Sequence, residues 1–276
     1  MQHLRLLSLT AAALLAACAT PEPLGPKARE EIIAVTASNH LLRFNAGQPQ
    51  LVRDRQPLRG LRAGEQLLGI DFRVARGELY ALGASGQLYR IDVAQAAATP
   101  VGSGVTLPAG GAEWGFDFNP TVDRIRVVSD NGVNLRLHPD TGAQVATDGA
   151  LLYDGGKGSH IVAAGYTYNK TNDKITTNFA LDGAAGTLVS QGTREGVTPA
   201  VSPNTGKLYT VGSLGVGAFE HASFDVSDLS DTAYAGLHRS GAKATRWYQV
   251  DLASGKARFI GTVGGGEPLL GSAIEP

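Results

Sequence analysis

The sequence predicts an all-β chain folded as a β-propeller, most simply one of five blades. Three observations carry this. The segment GIDFRVARGELYALGASGQLYRID from Gly69 recurs without a gap as GFDFNPTVDRIRVVSDNGVNLRLH from Gly115, 46 residues on. Its second half, ALGASGQLYRID from Ala81, also matches AVTASNHLLRFN from Ala34, 47 residues earlier. Self-similarity at this period marks a repeat architecture. Within each copy, apolar residues alternate with period two in short runs bounded by Gly, Asp and Asn, the strand-and-turn pattern. No stretch sustains a helical period, and 36 glycines without collagen periodicity suit a chain full of tight turns.

Taken in order, residues 1–17 read as a signal peptide. Arg5 supplies the positive start, and Leu6 to Ala17 is an apolar run too short for a spanning helix. Leu15-Ala16-Ala17-Cys18 resembles the lipobox of bacterial lipoproteins, which makes Cys18 the expected lipidation site and new N-terminus. Cys18 is the single cysteine, so no internal disulfide can form. Ala19 rather than Asp follows it, which by Gram-negative sorting rules favours the outer membrane, facing the periplasm. Residues 18–29, with Pro21, Pro23 and Pro26, read as an extended tether. Residues 30–276 form the single propeller domain.

The first copy starts directly at Ile32 and lacks an inner strand. The second shows four strands, roughly Leu67–Phe72, Glu78–Leu82, Gln87–Asp92 and Thr99–Gly102. In the third, a two-residue turn at Asn131-Gly132 would put Arg126 on the face of Leu135 and Leu137. A three-residue turn, Asp130-Asn131-Gly132, instead puts Ile125, Val127, Val133, Leu135 and Leu137 on one face. It leaves Arg124, Arg126, Asn134 and Arg136 on the other. The last turn position is then Gly132, Gly86 or Asn39, the residue types that best accept a left-handed backbone. GYTYNKTNDKITTNFAL from Gly165 starts a fourth copy and SFDVSDLSDTAYAGL from Ser223 a fifth, completed by TRWYQVDLASGKARFIGTV. The last strand, Leu269–Ile274, is left over, and closing the ring with it completes the first blade and leaves no long unpaired edge. A sixth blade within the irregular stretch Thr187–Gly217 is the alternative.

Recurrence also sorts the polar residues. Asp71, Asp117 and Asp225 recur at the ends of inner strands; their functional reading is a carboxylate ring, and the preferred one is architectural, since a carboxylate beside a turn commonly accepts backbone N–H groups. Arg43, Arg90 and Arg136 recur in third strands, with Gln249 in the last copy, and read as structural pairing groups. Arg124 and Arg126 occur in one copy and are better functional candidates. The loops entering the inner strands carry an ionisable group each time: Glu65, Glu113, His160, Glu220 with His221, and Glu267. In a propeller these loops converge on one channel mouth, where crowded carboxylates would recruit a cation. The sequence assigns no cofactor; a divalent cation is the candidate, Ca²⁺ if oxygen ligands dominate and a transition metal if His joins. The plain alternative is that these side chains point into water. Trp114 lies in the same ring and is a candidate for stacking on a sugar, while Trp247 reads as core. Asp154-Gly-Gly-Lys-Gly-Ser159 lacks phosphate-loop spacing, and no nucleophile elbow or zinc-type His spacing is present.

GFDFNPTVDRIRVVSDNGVNLRLHPDTG, together with GIDFRVARGELYAL and the TAYAGL and YQVDLASGKARFIGTVG segments, resembles the bacterial family called domain of unknown function 4394. The resemblance covers nearly all of the chain after the tether. It implies an extracytoplasmic propeller-like domain and no particular activity. A net charge of −1 argues against nucleic acid as a partner. The expectation is therefore a non-enzymatic binding or scaffolding propeller on the cell envelope, joined to the membrane by its lipid, with a protein or glycan partner at the channel mouth. No catalytic residue is assigned. The alternative is a metal-assisted hydrolase using Glu113, Glu220 and His221, which is analogy at the level of fold.

Overall fold

The computed structural model describes residues 22–276, so the signal segment and Cys18 lie outside the described residues. Five four-stranded antiparallel sheets form a five-bladed β-propeller. The first blade holds β1 (Glu31–Thr36), β2 (His40–Asn45) and β3 (Val52–Pro57). The second comprises β4 (Leu67–Arg73), β5 (Glu78–Gly83), β6 (Leu88–Asp92) and β7 (Ala97–Val101). The third comprises β8 (Trp114–Asn119), β9 (Arg124–Ser129), β10 (Asn134–Leu137) and β11 (Gln144–Thr147). In the fourth are β12 (Ile161–Tyr166), β13 (Asn178–Asp182), β14 (Thr187–Gln191) and β15 (Leu208–Ser213). In the fifth are β16 (His221–Val226), β17 (Ala233–His238), β18 (Arg246–Val250) and β19 (Ala257–Thr262). The last strand, β20 (Leu269–Ile274), pairs antiparallel with β1 as the inner strand of the first blade. The chain thus closes its own ring, and Thr187–Gly217 supplies the outer half of blade four rather than a sixth blade.

The hairpin register follows the three-residue turn. Leu135 faces Val127 and Leu137 faces Ile125 across β9 and β10. Gly132, Gly86 and Asn39 have φ of 89°, 78° and 56°, the left-handed conformation that a turn of this kind ends on.

Five apolar clusters fill the five seams between blades. At the seam of blades five and one, Trp247 meets Phe44 edge-on at 5.2 Å and stacks on Tyr234 at 5.8 Å. The seam of blades three and four has the smallest cluster, around Val128, Ile161 and Val189. There a polar network takes over. Arg126, 1% exposed, donates to Tyr166, Asn134, Asp148 and Asn204. The residue that recurrence singled out as a functional candidate is a buried clamp, while Arg124 donates to the neighbouring Asp123 carbonyl.

Glycine sets how closely the blades approach. At every seam a glycine just beyond or near the end of an outer strand faces a carbonyl of the next blade. A Cβ on Gly60, Gly102, Gly149, Gly212 or Gly264 would sit 2.2, 1.9, 2.4, 2.1 or 2.6 Å from the oxygen of Ala98, Thr141, Thr205, Ser254 or Gln50. Near the axis, a Cβ on Gly69 would lie 2.7 Å from the Phe116 Cβ, and one on Gly271 2.9 Å from the Ile70 nitrogen. Inner strands β4, β8, β12, β16 and β20 therefore pack directly on one another in a closed circle.

Candidate functional site

The inner strands run in one direction along the axis, so the channel has an entry end and an exit end. At the entry end the ionisable loop residues mostly turn away from each other. Glu65 folds back into its own blade, where its carboxylate accepts from Ser85 N (3.0 Å), Ser85 Oγ (2.6 Å) and Tyr89 Oη (2.9 Å). Burial alone would raise its pKa, but those hydrogen bonds and Arg62 hold it below the usual value. Glu267 accepts from Ser38 N and pairs with Arg55 of the first blade. His160 Nδ1 stands 4.0 Å from Asp130 Oδ2. Glu220 is exposed, and its backbone N–H donates to the His238 carbonyl. Trp114 is 6% exposed and packs with Phe116 and Leu135, so its ring is core. Only Glu113 and His221 meet, with Nδ1 and Oε2 2.5 Å apart across the start of β12. The space beneath them is a cavity of ≈ 20 Å³ lined by Gly69, Gly115, Ser223 and Gly271.

The exit end is different. Asp71 on β4, Asp117 on β8 and Asp225 on β16 occupy one level of the ring. Asp71 accepts from Phe72 N and, in the next blade, Phe118 N, both at 2.7 Å. Asp225 accepts from Val226 N and Ile274 N, both at 2.6 Å. Asp117 accepts from Tyr166 N at 3.0 Å. Each aspartate thus sews its inner strand to the next, which is the architectural role its recurrence suggested. The same bonds identify Gly165 and Ala273 as the two remaining positions of the ring.

The second consequence is the carboxylate ring, the reading that recurrence places behind the architectural one. The three side chains converge, with one oxygen of each within 4.8 Å of the others, and among the described residues this is the only such carboxylate or imidazole group. Asp71, Asp117 and Asp225 are 6%, 3% and slightly more exposed, respectively. Burial pushes the Asp225 carboxyl up to about 7. Burial, and then repulsion from its partners, pushes Asp71 and Asp117 well above the usual carboxylate range. Arg73, the nearest buried cation, turns outward to Asp123 and Asp140 and leaves the trio uncompensated.

Above the trio opens a pocket of ≈ 90 Å³, walled by Phe118, Tyr166, Tyr168, Val74, Pro120 and Asp228. Asp117 Oδ2 has no donor among the described residues, and its side chain lines this pocket. Tyr168 is shared with a wider groove of ≈ 710 Å³ between blades four and five, bordered by Lys170, Arg194, Glu195 and Asp231. Glu195 is fixed there by Thr167 Oγ1 (2.8 Å) and Asn169 Nδ2 (2.6 Å). Three acidic oxygens with room above them can hold a cation, whether a proton, a metal ion or an ammonium group.

The chain belongs to the family described as a domain of unknown function (DUF4394), whose profile matches residues 40–273. No curated protein matches the sequence. Among solved structures, a chain of a nidogen/laminin complex is similar at 11% identity and a TM-score of 0.50, over 90% of this chain and 98% of that one. The hydrazine synthase of Kuenenia stuttgartiensis matches at 11% identity and a TM-score of 0.40, over 71% of this chain. This chain spans 49% of that one, about half its length. A protein of unknown function from Bacteroides thetaiotaomicron matches at 14% identity and a TM-score of 0.45, over 84% of this chain and 58% of that one. Likeness at these identities is likeness of fold.

Proposed function

We propose that this chain is a non-enzymatic binding propeller, held at the bacterial outer membrane by a lipid on Cys18, and that its ligand brings a positive charge into the exit-end pocket. The observation that carries this reading is the convergence of Asp71, Asp117 and Asp225 beneath an open pocket, with Arg73, which also lines that pocket, already engaged by Asp123 and Asp140. Like charges this close and this buried hold protons or recruit a cation. A ligand that supplies the cation gains the repulsion it relieves. The entry-end residues favour no hydrolase: Glu113 and His221 close over a cavity too small for a substrate, and Glu220 stands apart from them. A propeller offering one concave charged face is compatible with a binding scaffold.

The test is a thermal-melt panel on the purified protein in cacodylate buffer, which carries no ammonium and keeps divalent ions in solution, with Ca²⁺, Mg²⁺, Mn²⁺ and n-butylammonium added singly. A cation at ~100 times its Kd stabilises by ~2.7 kcal/mol, which for a domain of this size raises the melt by roughly 5–10 °C. The expected result is such a shift from one cation class, absent in Asp117→Asn. If no cation moves the wild-type melt, the pocket is not a cation site and the reading falls. The lipid anchor is tested separately, by incorporation of labelled palmitate in cells and its loss in Cys18→Ser.

A further inference from the structure

Counting lone pairs narrows which cation fits. Both oxygens of Asp71 and both of Asp225 already accept a backbone N–H, as does one oxygen of Asp117. Each of those oxygens keeps one lone pair, and one oxygen from each aspartate converges on a common space. A hard divalent ion such as Ca²⁺ collects six to eight oxygens, and here the converging group supplies three. A guanidinium addresses one carboxylate edge-on with a planar fork, whereas here single oxygens of three different aspartates converge. An alkylammonium carries three N–H donors on one nitrogen. Three acceptors from three strands converge within 4.8 Å of each other, and three N–H donors on one nitrogen can address all three by charge-assisted bonds.

The surroundings suit a stem behind that nitrogen. The wall above the carboxylates has an apolar side from Val74, Ala75, Pro120, Phe118 and Tyr168, beside the polar Asn119, Asp228 and the Arg73–Asp123 pair. A lysine side chain buries its methylenes along such a surface while its charge goes to the polar end. Around the opening, loop tips expose large apolar side chains: Val122 54%, Val197 46%, Ile175 40% and Leu229 40%. Single exposed hydrophobics are ordinary, but these four gather on the loops bordering the pocket and its adjoining groove. Charged groups of both signs, Lys170, Arg194 and Asp231, complete the border. A central charged anchor, an apolar surround and a polar rim are the anatomy of a protein interface.

We infer that the exit face docks a partner polypeptide by taking one of its lysine side chains into the channel pocket, the ammonium seated on Asp71, Asp117 and Asp225. This rests on the cation-binding reading above. It predicts a preference for a primary ammonium over a metal ion, and for a lysine flanked by apolar residues over a free amine.

The experiment is calorimetric titration of the purified protein in cacodylate buffer, since Tris is itself a primary ammonium and phosphate precipitates Ca²⁺. The probes are acetyl-Leu-Lys-Leu-amide, the same peptide acetylated on Nε, n-butylammonium and CaCl₂. The expected result is that the lysine peptide binds at least ten times more tightly than n-butylammonium, and that Nε-acetylation removes binding. Asp117→Asn should weaken the peptide at least tenfold. Ala75→Trp, a change at an exposed rim position, should block it while leaving the melt unchanged, which covers the case in which the aspartate variant does not fold. Binding of Ca²⁺ but not of the peptide overturns this inference and leaves the cation reading standing. Equal affinity for peptide and n-butylammonium overturns the polypeptide partner. Binding of none of the probes overturns both.

Discussion

Replacing Arg126 with Met should cost about 3 kcal/mol of stability. Arg126 is 1% exposed and holds four side chains on two blades. Its Nε donates to Tyr166 Oη at 3.1 Å. One terminal nitrogen donates to Asn134 at 2.7 Å and Asp148 at 2.6 Å, and the other to Asn204 at 2.7 Å. Removing one partner of a buried ion pair typically costs about 3–5 kcal/mol, because a charge is left behind. Here the lower end applies. Asp148 keeps the Arg136 guanidinium on both oxygens, at 2.8 and 2.9 Å, and Asn134 keeps a donor in Gln191 at 3.1 Å. Asn204 Oδ1 keeps none among the described residues, but Asn204 is only half-buried, so this loss falls at or below the low end of the about 1–3 kcal/mol that a buried acceptor stripped of its donor costs.

The assay is urea denaturation followed by circular dichroism. The midpoint should fall with an unchanged m-value, and the melt should drop by roughly 6–12 °C. Arg136→Met is the control. Its side chain is 29% exposed and it leaves Asp148 paired to Arg126, so it should cost no more than about 1 kcal/mol. The double variant should be worse than the sum, because Asp148, 7% exposed, then has no cation at all. If Arg126→Met stays within about 0.5 kcal/mol of wild type, the apolar cluster holds the seam of blades three and four and the polar clamp adds nothing.

Two further outcomes follow from other parts of the ring. Burial raises the carboxyl pKa values of Asp71, Asp117 and Asp225, the last to about 7, so the folded state keeps protons that the unfolded chain releases above about pH 4. Their contribution is complete below that pH; for Asp225 it is lost as pH rises through about 7, and for Asp71 and Asp117 as pH rises well above the usual carboxylate range. Asp117→Asn, which keeps an acceptor for Tyr166 N–H, should therefore gain at least about 1 kcal/mol over wild type at pH 8 in amine-free buffer and nothing at pH 4, read by urea midpoints. A variant no more stable at pH 8 would mean that the trio is relieved in some other way. The seam glycines give a contrast of their own: Gly212→Ala drives a Cβ to 2.1 Å from the Ser254 oxygen, whereas a Cβ on Gly158 meets nothing within 4 Å. The first should lose about 1–3 kcal/mol, and the second should stay within about 0.5 kcal/mol of wild type. Equal effects would show that the blades slide apart at little cost.

The fold was readable because a repeat states its own register. Period-two patterning placed the strands, and one charged residue, Arg126, decided the turn length, since only a three-residue turn takes it off the face of Leu135 and Leu137. A first copy without an inner strand and a last strand without a blade implied each other. The side chains at the channel were harder, because alignment gives a position along the chain and not the direction in which a side chain turns. Glu65 and Glu267 stand just before inner strands, as expected, yet each is captured by its own or a neighbouring blade, by Ser85 and Tyr89 in one case and by Arg55 in the other.

The carboxylate ring of the aspartate trio ranks second in the sequence for a different reason. Accepting backbone N–H is a true account of five of its six oxygens, and it looks like a complete one. What it omits is distance across the axis. That distance was encoded two residues earlier, where the five inner strands carry Gly69, Gly115, Ala163, Ser223 and Gly271. Small residues at one level let the strands close to near contact, as the crowding around Gly69 and Gly271 shows. Acidic residues one pleat further along must then face each other across a space a few ångströms wide. A ring of small residues followed at i+2 by carboxylates in several blades is thus a single signal. The small residues set the spacing and the carboxylates set the charge, so neither role of Asp71, Asp117 and Asp225 excludes the other. The backbone bonds that make them architectural also fix their free lone pairs toward the axis.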